Sequence, residues 1–252
     1  MKKTLLILLN LVVSFQCNAT TTFTEEKILF RNNSPGKPLV ADLDQDGDLD
    51  VILSGSAGIF TLENIDGSGT FGSQTFVGIG RADLVADFDG DERLDLIVQY
   101  PPSPTSTTRV IAWHRNLGPG AGFSPANVIR AGERFPDLYP PYDVDGDGDP
   151  DQIWFDGSND RLEWAENTDG TATSWALPLP LLESLDILSS RLADVTGDGI
   201  PDFVGQDWKG TGIASDDDIV VFPGSQHDTP ELWASRCCFA RATNSWACQS
   251  GW

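Results

Sequence analysis

The sequence predicts an all-β protein built from four copies of one structural unit, and three observations lead to this prediction. Twenty-five glycines and sixteen prolines in 252 residues indicate many turns between short strands. A nine-residue acidic pattern occurs four times, beginning at residues 42, 87, 143 and 194. Short apolar runs follow every copy at a similar distance. Each copy and its strands therefore form a repeat of about 50 residues, and neighbouring repeats would supply the core between them.

Charge and hydrophobicity narrow the classes of protein to consider. The chain has 38 Asp and Glu residues against 16 Lys and Arg residues, a formal net charge of −22. A nucleic-acid partner is not expected, because phosphate binding needs a cationic surface. Hydrophobic residues make up 40% of the chain, which is enough for a packed core and too many for a disordered acidic polymer.

Each acidic pattern has the spacing of a cation-binding loop. Positions 1, 5 and 9 are Asp in all four copies, and positions 2 and 8 are apolar. Ca²⁺ takes about six to eight oxygen ligands. When the backbone curls, the side chains at positions 1, 3 and 5, the carbonyl of position 7 and the carboxylate at position 9 can supply them. The predicted ligand positions are Asp42, Asp44, Asp46, Asp48 and Asp50; Asp87, Asp89, Asp91, Arg93 and Asp95; Asp143, Asp145, Asp147, Asp149 and Asp151; and Asp194, Thr196, Asp198, Ile200 and Asp202.

The four copies are not equivalent. A glycine at position 6 permits the positive φ of a tight curl, but the second copy has Glu92 there, which implies a strained residue or a shifted curl. The fourth copy has Thr196 at position 3, which keeps an oxygen and loses a charge. We therefore expect up to four Ca²⁺ ions, with the first and third loops binding most strongly. Solvated acidic turns are the alternative, since Asp and Gly both favour turns.

The segments around the loops exclude an EF-hand, which needs flanking helices and a Glu at position 12. Position 12 is Leu53, Val98, Trp154 and Gly205 in the four copies. An apolar strand follows each loop, and a Gly-rich turn leads to a second strand. A looser strand then completes most repeats, at residues 74–79, 126–130 and 174–179. With the short apolar approach to the loop, this makes four strands per repeat, which is typical of a propeller blade.

The order of these elements resembles the FG-GAP/VCBS-type repeats of integrin-α-like β-propellers. The resemblance rests on the acidic loop, the strand after it and an aromatic-x-Glu-Asn turn such as the one ending at Asn167. It covers residues 22–224. It implies calcium in the loop between the first and second strands of each blade, held at the Asp positions given above. It also implies a secreted or surface-exposed module that serves in adhesion or recognition.

The sequence leaves two forms of the propeller open. Integrin-like propellers usually have seven blades, whereas four loops are present here. The segment Thr22–Phe30 has the pattern of an outermost strand whose own blade is missing. It could complete the fourth repeat and close a small four-bladed ring. Otherwise the chain is an incomplete arc of a larger propeller.

The N-terminal residues 1–19 are predicted to be a secretory signal peptide. Lys2 and Lys3 precede an apolar run too short to span a bilayer, and small residues precede a cut after Ala19. Lipidation at Cys17 is the less favoured alternative. We therefore expect a secreted, periplasmic or cell-surface protein with no membrane span in the mature chain, whose propeller occupies residues 20–224.

The C-terminal residues 225–252 differ in composition from the repeats and are interpreted as a poorly ordered or abnormal tail. They contain Cys237, Cys238 and Cys248. A disulfide such as Cys238–Cys248 is allowed in an oxidising compartment, but three cysteines leave one unpaired.

No catalytic constellation stands out in the sequence, and His114 is interpreted as a solvent-facing strand residue. The sequence therefore favours a calcium-binding module for protein or glycan recognition over an enzyme. Two insertions are candidate contact loops, Tyr100–Arg109 and Gly205–Asp218, the second with Trp208. The alternative is an extracellular polysaccharide lyase or hydrolase, or a fragment of a larger one. A lyase would want basic residues near the metal, and Arg93 is the only one in a loop.

Overall fold

The computed structural model describes residues 36–103, 105–133, 136–183, 187–207 and 218–224, and the backbone of residues 238–241 and 245–248. These residues form strands and turns without helix, as the sequence predicts. The first sheet contains β1 (Leu39–Ala41), β2 (Asp50–Gly55), β3 (Gly58–Leu62) and β4 (Thr75–Gly78). The second contains β5 (Arg81–Ala86), β6 (Asp95–Tyr100), β7 (Arg109–His114) and β8 (Asn127–Glu133). The third contains β9 (Asp137–Leu138), β10 (Gln152–Asp156), β11 (Arg161–Ala165) and β12 (Leu179–Leu182). The fourth contains β13 (Ile187–Ala193), β14 (Asp202–Asp207) and β15 (Asp218–Phe222), and β16 (Cys238–Arg241) and β17 (Ser245–Cys248) form a hairpin.

Each sheet is an antiparallel meander in chain order, which is the organisation of a propeller blade. In every sheet one acidic pattern joins the first strand to the second. We call the connecting segments the first to fourth loops: residues 42–49, 87–94, 143–150 and 194–201. The first and second loops are in direct contact, since the Gln45 side-chain amide donates to the Glu92 carbonyl at 2.7 Å. The loops therefore line one rim, which we call the acidic rim.

Three separate hydrophobic cores join the four sheets in succession. Ile59 of the first sheet packs with Leu96 and Val98 of the second. The core between the second and third sheets includes Trp113 and Trp154, whose side chains are almost fully buried. The third and fourth sheets meet through a further set that contains Phe155, Leu162, Phe203 and Phe222. Neighbouring sheets thus bury the faces between them, as expected of blades that cannot form a core alone.

The fourth sheet lacks a comparable neighbour on its outer face among the described residues. Ile59, Ile111 and Leu162 occupy matching places in the first three sheets and are fully buried. Ile219 occupies that place in the fourth sheet and is 66% exposed. Val195, which matches the buried Phe88 of the second loop, is 56% exposed. The described sheets therefore form an open arc, an incomplete propeller.

Some sequence-based expectations were wrong or fall elsewhere. The looser strand of the third repeat lies at Leu179–Leu182 and not at residues 174–179, because Trp175 forms an isolated bridge with Asn167. His114 is buried and not solvent-facing, and its Nδ1 atom lies 2.8 Å from the Ser124 carbonyl oxygen. Strand β7 is covered on both faces, so its side chains do not alternate between the core and solvent.

Several predictions lie outside the described residues: the signal peptide 1–19, the strand Thr22–Phe30, Trp208 and Cys237. Within the C-terminal tail, the backbone of Cys238 lies directly opposite that of Cys248 in the β16–β17 hairpin. In the described part of the chain, no helix is long and apolar enough to cross a membrane.

Candidate metal centres at the acidic rim

The four loops share one backbone curl, which needs left-handed residues at two positions. Position 6 has positive φ in every loop, and it is Glu92 in the second loop, with φ of 67°. Glu92 is therefore the strained residue that the sequence allowed, and the curl is not shifted. Position 4 also has positive φ in every loop, including Gln45 with φ of 65°. This second requirement was not recognised in the sequence.

Introducing a glycine at position 6 should therefore stabilise the protein, and removing one should destabilise it. We expect Glu92→Gly to stabilise the protein by about 0.5–1 kcal/mol, because a non-glycine residue pays about 1–2 kcal/mol in the left-handed region. Gly148→Ala should destabilise by about 1 kcal/mol through backbone strain alone, since no atom lies within 4 Å of the added Cβ. Urea unfolding measures both changes. Glu92→Ala is the control for lost charge, and equal stabilisation by Ala and Gly would contradict the strain argument.

The aspartates at position 1 hold the curl from inside. The Asp143 carboxylate accepts hydrogen bonds from the backbone N–H groups of Gly146, at 2.7 Å, and Gly148, at 3.0 Å. Asp194 does the same for Gly197 and Gly199, at 2.6 Å and 2.9 Å. A short Asp that bonds its own following backbone is the usual way to fix such a turn.

The aspartates at position 9 fasten each loop to the sheet, a role the sequence did not reveal. Both oxygens of Asp151 accept backbone hydrogen bonds, from the N–H of Val144 at 2.9 Å and that of Asn167 at 2.8 Å. The first, second and fourth loops repeat this pair of bonds with Asp50, Asp95 and Asp202. All four side chains are buried. Burial raises the pKa of Asp95 and of Asp151 to about 7, although these backbone hydrogen bonds oppose the shift.

Carboxylate oxygens converge in the first three loops. In each loop, one oxygen from each of three aspartates lies within 4.8 Å of the others. The groups are Asp42, Asp44 and Asp46; Asp87, Asp89 and Asp95; and Asp143, Asp145 and Asp151. Position 5 therefore converges in the first loop, whereas position 9 does so in the second and third. These clusters could hold a metal ion.

Two oxygen atoms in these clusters are buried and have no hydrogen-bond partner: Asp42 Oδ1 and Asp89 Oδ1. A buried carboxylate oxygen without a partner is costly, and a cation is one way to compensate it. Burial and the neighbouring carboxylates also raise the pKa of Asp44 and of Asp145. The donor set thus fits an oxygen-preferring cation such as Ca²⁺.

In the first and third loops, the side chains at position 7 point away from these clusters. A Cβ added to Gly67 would overlap the carboxylate of Asp48, and one added to Gly170 would overlap that of Asp149. The two Asp side chains therefore lie over the turn that follows the third strand of their sheets. This leaves the backbone carbonyl as the atom that position 7 can offer, as the sequence predicts.

The second loop differs from the first and third because two arginines reach into it. The Arg115 guanidinium contacts the Asp89 carboxylate at 2.7 Å and the Asp91 carboxylate at 2.8 Å. Arg93 also pairs with Asp91, and its Nε donates to the Asn116 carbonyl at 3.0 Å. The sequence pointed to Arg93 but not to Arg115, which lies at the end of the third strand and not in the acidic pattern.

The fourth loop is the most open. Residues 194–199 are exposed, including Asp194, Thr196 and Asp198. No cluster of three acidic ligand atoms forms there among the described residues. Thr196 instead donates its backbone N–H to Asp202 at 2.9 Å. Both features follow from the missing carboxylate at position 3 and the uncovered face of the fourth sheet.

The asparagine after the third strand is a further structural residue of the rim. The Asn116 Nδ2 donates to the Leu43 carbonyl at 2.7 Å, so it ties the second sheet to the first loop. The Asn116 Oδ1 accepts from the Gly118 N–H at 3.0 Å. In the fourth sheet Gly224 takes the place of this Asn, and its N–H still donates to Asp202 at 2.8 Å.

Three clefts offer space for a ligand. A cleft of about 190 Å³ lies beside the first loop, between Thr61, Glu63 and Phe123. A cleft of about 310 Å³ adjoins the Tyr100–Arg109 insertion and is lined by Arg81 and Arg109. The largest of the three, about 520 Å³, lies between the second and third sheets. Its lining is mostly polar and includes Arg130, Asp156, Ser158, Asn159, Arg161 and Glu163.

The comparison with known families agrees with the geometry of the loops and sheets. The FG-GAP-like repeat family matches residues 42–98 and 143–205. Each matched segment contains two acidic loops and the strand after each. Both segments are FG-GAP-like repeats. The resemblance seen in the sequence is thereby confirmed.

The FG-GAP-like repeats of this chain also have a structural relative. A lectin of Agrocybe aegerita, solved for its specific recognition of non-reducing terminal N-acetylglucosamine, aligns with 68% of this chain at 23% identity and a TM-score of 0.50. The aligned part is 47% of the lectin chain, so this chain spans about half of its relative. At this identity the likeness concerns the fold. No curated protein matches the chain significantly.

Proposed function

We propose that this chain is an exported, calcium-stabilised β-propeller module that recognises a glycan or protein at a surface. The observation that best supports calcium binding is the convergence of three carboxylates in each of three loops, with buried oxygen atoms of Asp42 and Asp89 that have no hydrogen-bond partner. The FG-GAP-like repeats and the structural likeness to a lectin support recognition as the role of the fold.

Calcium would act here on stability and on the shape of the rim. Asp42, Asp44 and Asp46 of the first loop have no cationic partner among the ion pairs of the described residues, and the same is true of the third loop. A divalent ion would neutralise carboxylates that otherwise repel one another, and it binds only the folded loop. We therefore rank the first and third loops as the stronger sites.

A polar cleft is the best candidate for the ligand-binding site, and we assign this role to the cleft of about 520 Å³ between the second and third sheets. Sugar hydroxyl groups both donate and accept hydrogen bonds, and the Asp, Asn, Arg and Glu side chains of this cleft provide both kinds of partner. Because the related lectin recognises terminal N-acetylglucosamine, glycans with that terminus are the first probe.

A glycan array tests the recognition proposal. We expect the full chain to be retained by a subset of glycans in calcium and to lose retention in EGTA. Ser158→Trp should abolish retention, because Ser158 is an exposed turn residue that lines the proposed cleft. Ser73→Trp, beside the smaller cleft at the first loop, is the matched control and should bind normally.

Two results would contradict this assignment. Equal retention of the wild-type protein and Ser158→Trp would place the ligand elsewhere. Release of unsaturated or reducing sugars from acidic polysaccharides would instead identify a lyase or hydrolase.

A further inference from the structure

The second loop contains its own cations. The Arg115 guanidinium bridges Asp89 and Asp91, and Arg93 reaches Asp91 from the other side. The Arg115 backbone is fixed where the strand ends, because its N–H donates to the Ser124 hydroxyl at 2.9 Å. Only 3% of the Asp89 side chain is exposed, whereas 43% of the Arg115 side chain is, so the ion pair compensates a buried carboxylate from a partly exposed guanidinium.

The other repeats show that these arginines are a paired replacement. The residues matching Arg93 are Asp48 in the first repeat and Asp149 in the third. Arg115 directly precedes the turn asparagine Asn116. The residues in that place are Glu63 in the first repeat and Glu166 in the third. Two positions that are acidic in the first and third repeats are thus both basic in the second, and both arginines contact the same carboxylate, Asp91.

We propose that Arg93 and Arg115 are the built-in counter-ions of the second loop, so that this loop keeps its curl without calcium and binds it far more weakly than the first and third loops. This inference rests on the proposed function, which ranks those two loops as the stronger calcium sites. The two arginines, and not Glu92, are then the main reason why the second loop binds calcium weakly.

The balance of charges in the loops supports the role of the two arginines as counter-ions. When the position-9 aspartate and the residue before the turn asparagine are counted with them, the first and third loops each have six acids and no cation. The second has five acids and two arginines. Because nearby negative charges attract a cation and positive charges repel it, three fewer net negative charges should weaken Ca²⁺ binding strongly.

The acidic cluster of the second loop does not restore a strong site. Oxygens of Asp87, Asp89 and Asp95 still converge, and Asp89 Oδ1 has no partner. However, Asp89 Oδ2 is held by Arg115 at 2.7 Å, so a Ca²⁺ ion on Oδ1 would share this carboxylate with a guanidinium. Asp91, the ligand at position 5, is engaged by both arginines. Like charges at such distances repel one another.

An exchange of these residues between loops tests the proposal on the full chain. Isothermal titration with CaCl₂ counts the sites in the wild type, in Arg93→Asp/Arg115→Glu and in Asp48→Arg/Glu63→Arg. We expect the first variant to gain one site with at least a tenfold higher affinity than the wild-type second loop. The second variant places the arginine pair in the first loop and should lose one site. Adding Asp89→Asn to the first variant should remove the gained site.

A calcium-free measurement separates this inference from the proposed function. In EGTA, Arg115→Gln should lower the melting temperature, because Asp89 then loses its cation and Asp91 loses one of its two. Glu183→Gln, which breaks a solvent-exposed ion pair with Arg161, should have little effect. If the wild type binds no calcium but Arg115→Gln is destabilised in EGTA, the proposed function fails while the arginines remain the counter-ions. If Asp89→Asn alone removes a site from the wild type, or Arg115→Gln melts unchanged in EGTA, the inference is wrong.

Discussion

We expect calcium to raise the free energy of unfolding of this protein by about 5 kcal/mol when the first and third loops are both filled. A site occupied at a hundred times its Kd contributes about 2.7 kcal/mol, because the ion binds the folded loop and not the unfolded chain. For a chain of this size, such a gain should raise the melting temperature by roughly 10–20 °C. Thermal unfolding followed by circular dichroism, in calcium and in EGTA, measures this difference.

Single variants divide the effect between the loops. Asp44→Asn should remove about half of the calcium-induced shift, and Asp145→Asn the other half, because each removes a converging carboxylate from one cluster. Asp160→Asn is the matched control, since it removes an equivalent charge from an exposed turn away from the loops. Identical melting curves with calcium and EGTA, together with no calcium by elemental analysis, would overturn the calcium proposal.

The repeated features of the sequence predicted most of the architecture. The position of each loop between the first and second strands is confirmed, and within the described residues the fourth sheet ends after β15, as predicted. These succeed because each repeat supplies independent support for the same local pattern. The positive φ at position 6 is confirmed for the same reason, even where Glu92 replaces glycine.

The features that the sequence missed depend on distant residues. Arg115 lies 24 residues from Asp91 along the chain, and only strand pairing brings its guanidinium into the second loop. Asp151 was predicted as a ligand because of its spacing, but its two backbone bonds depend on where the strand after it pairs. The outer strand of the third repeat was misplaced because Leu177, Pro178, Leu179 and Pro180 give no alternating pattern.

The aspartate at position 9 provides the second large prediction, and it concerns folding without metal. We expect Asp151→Ala to lower the free energy of unfolding by about 2 kcal/mol in EGTA, because it leaves the N–H groups of Val144 and Asn167 without acceptors, at about 1–3 kcal/mol each. This loss is partly offset by removal of a buried carboxylate, whose pKa is raised to about 7. Asp151→Asn keeps one acceptor oxygen and should cost about half as much. Urea unfolding in EGTA measures both variants without any contribution from calcium.

A variant at position 3 distinguishes the structural carboxylate from those that serve only a metal. In EGTA, Asp145→Asn should be neutral or slightly stabilising, because burial and the neighbouring acids Asp143 and Asp147 disfavour its charge in the folded protein. The two positions should therefore respond in opposite directions to the loss of one carboxylate within the same loop. If Asp151→Ala and Asp145→Asn lost equal stability in EGTA, the hydrogen bonds of Asp151 would not be what fastens the loop to its sheet.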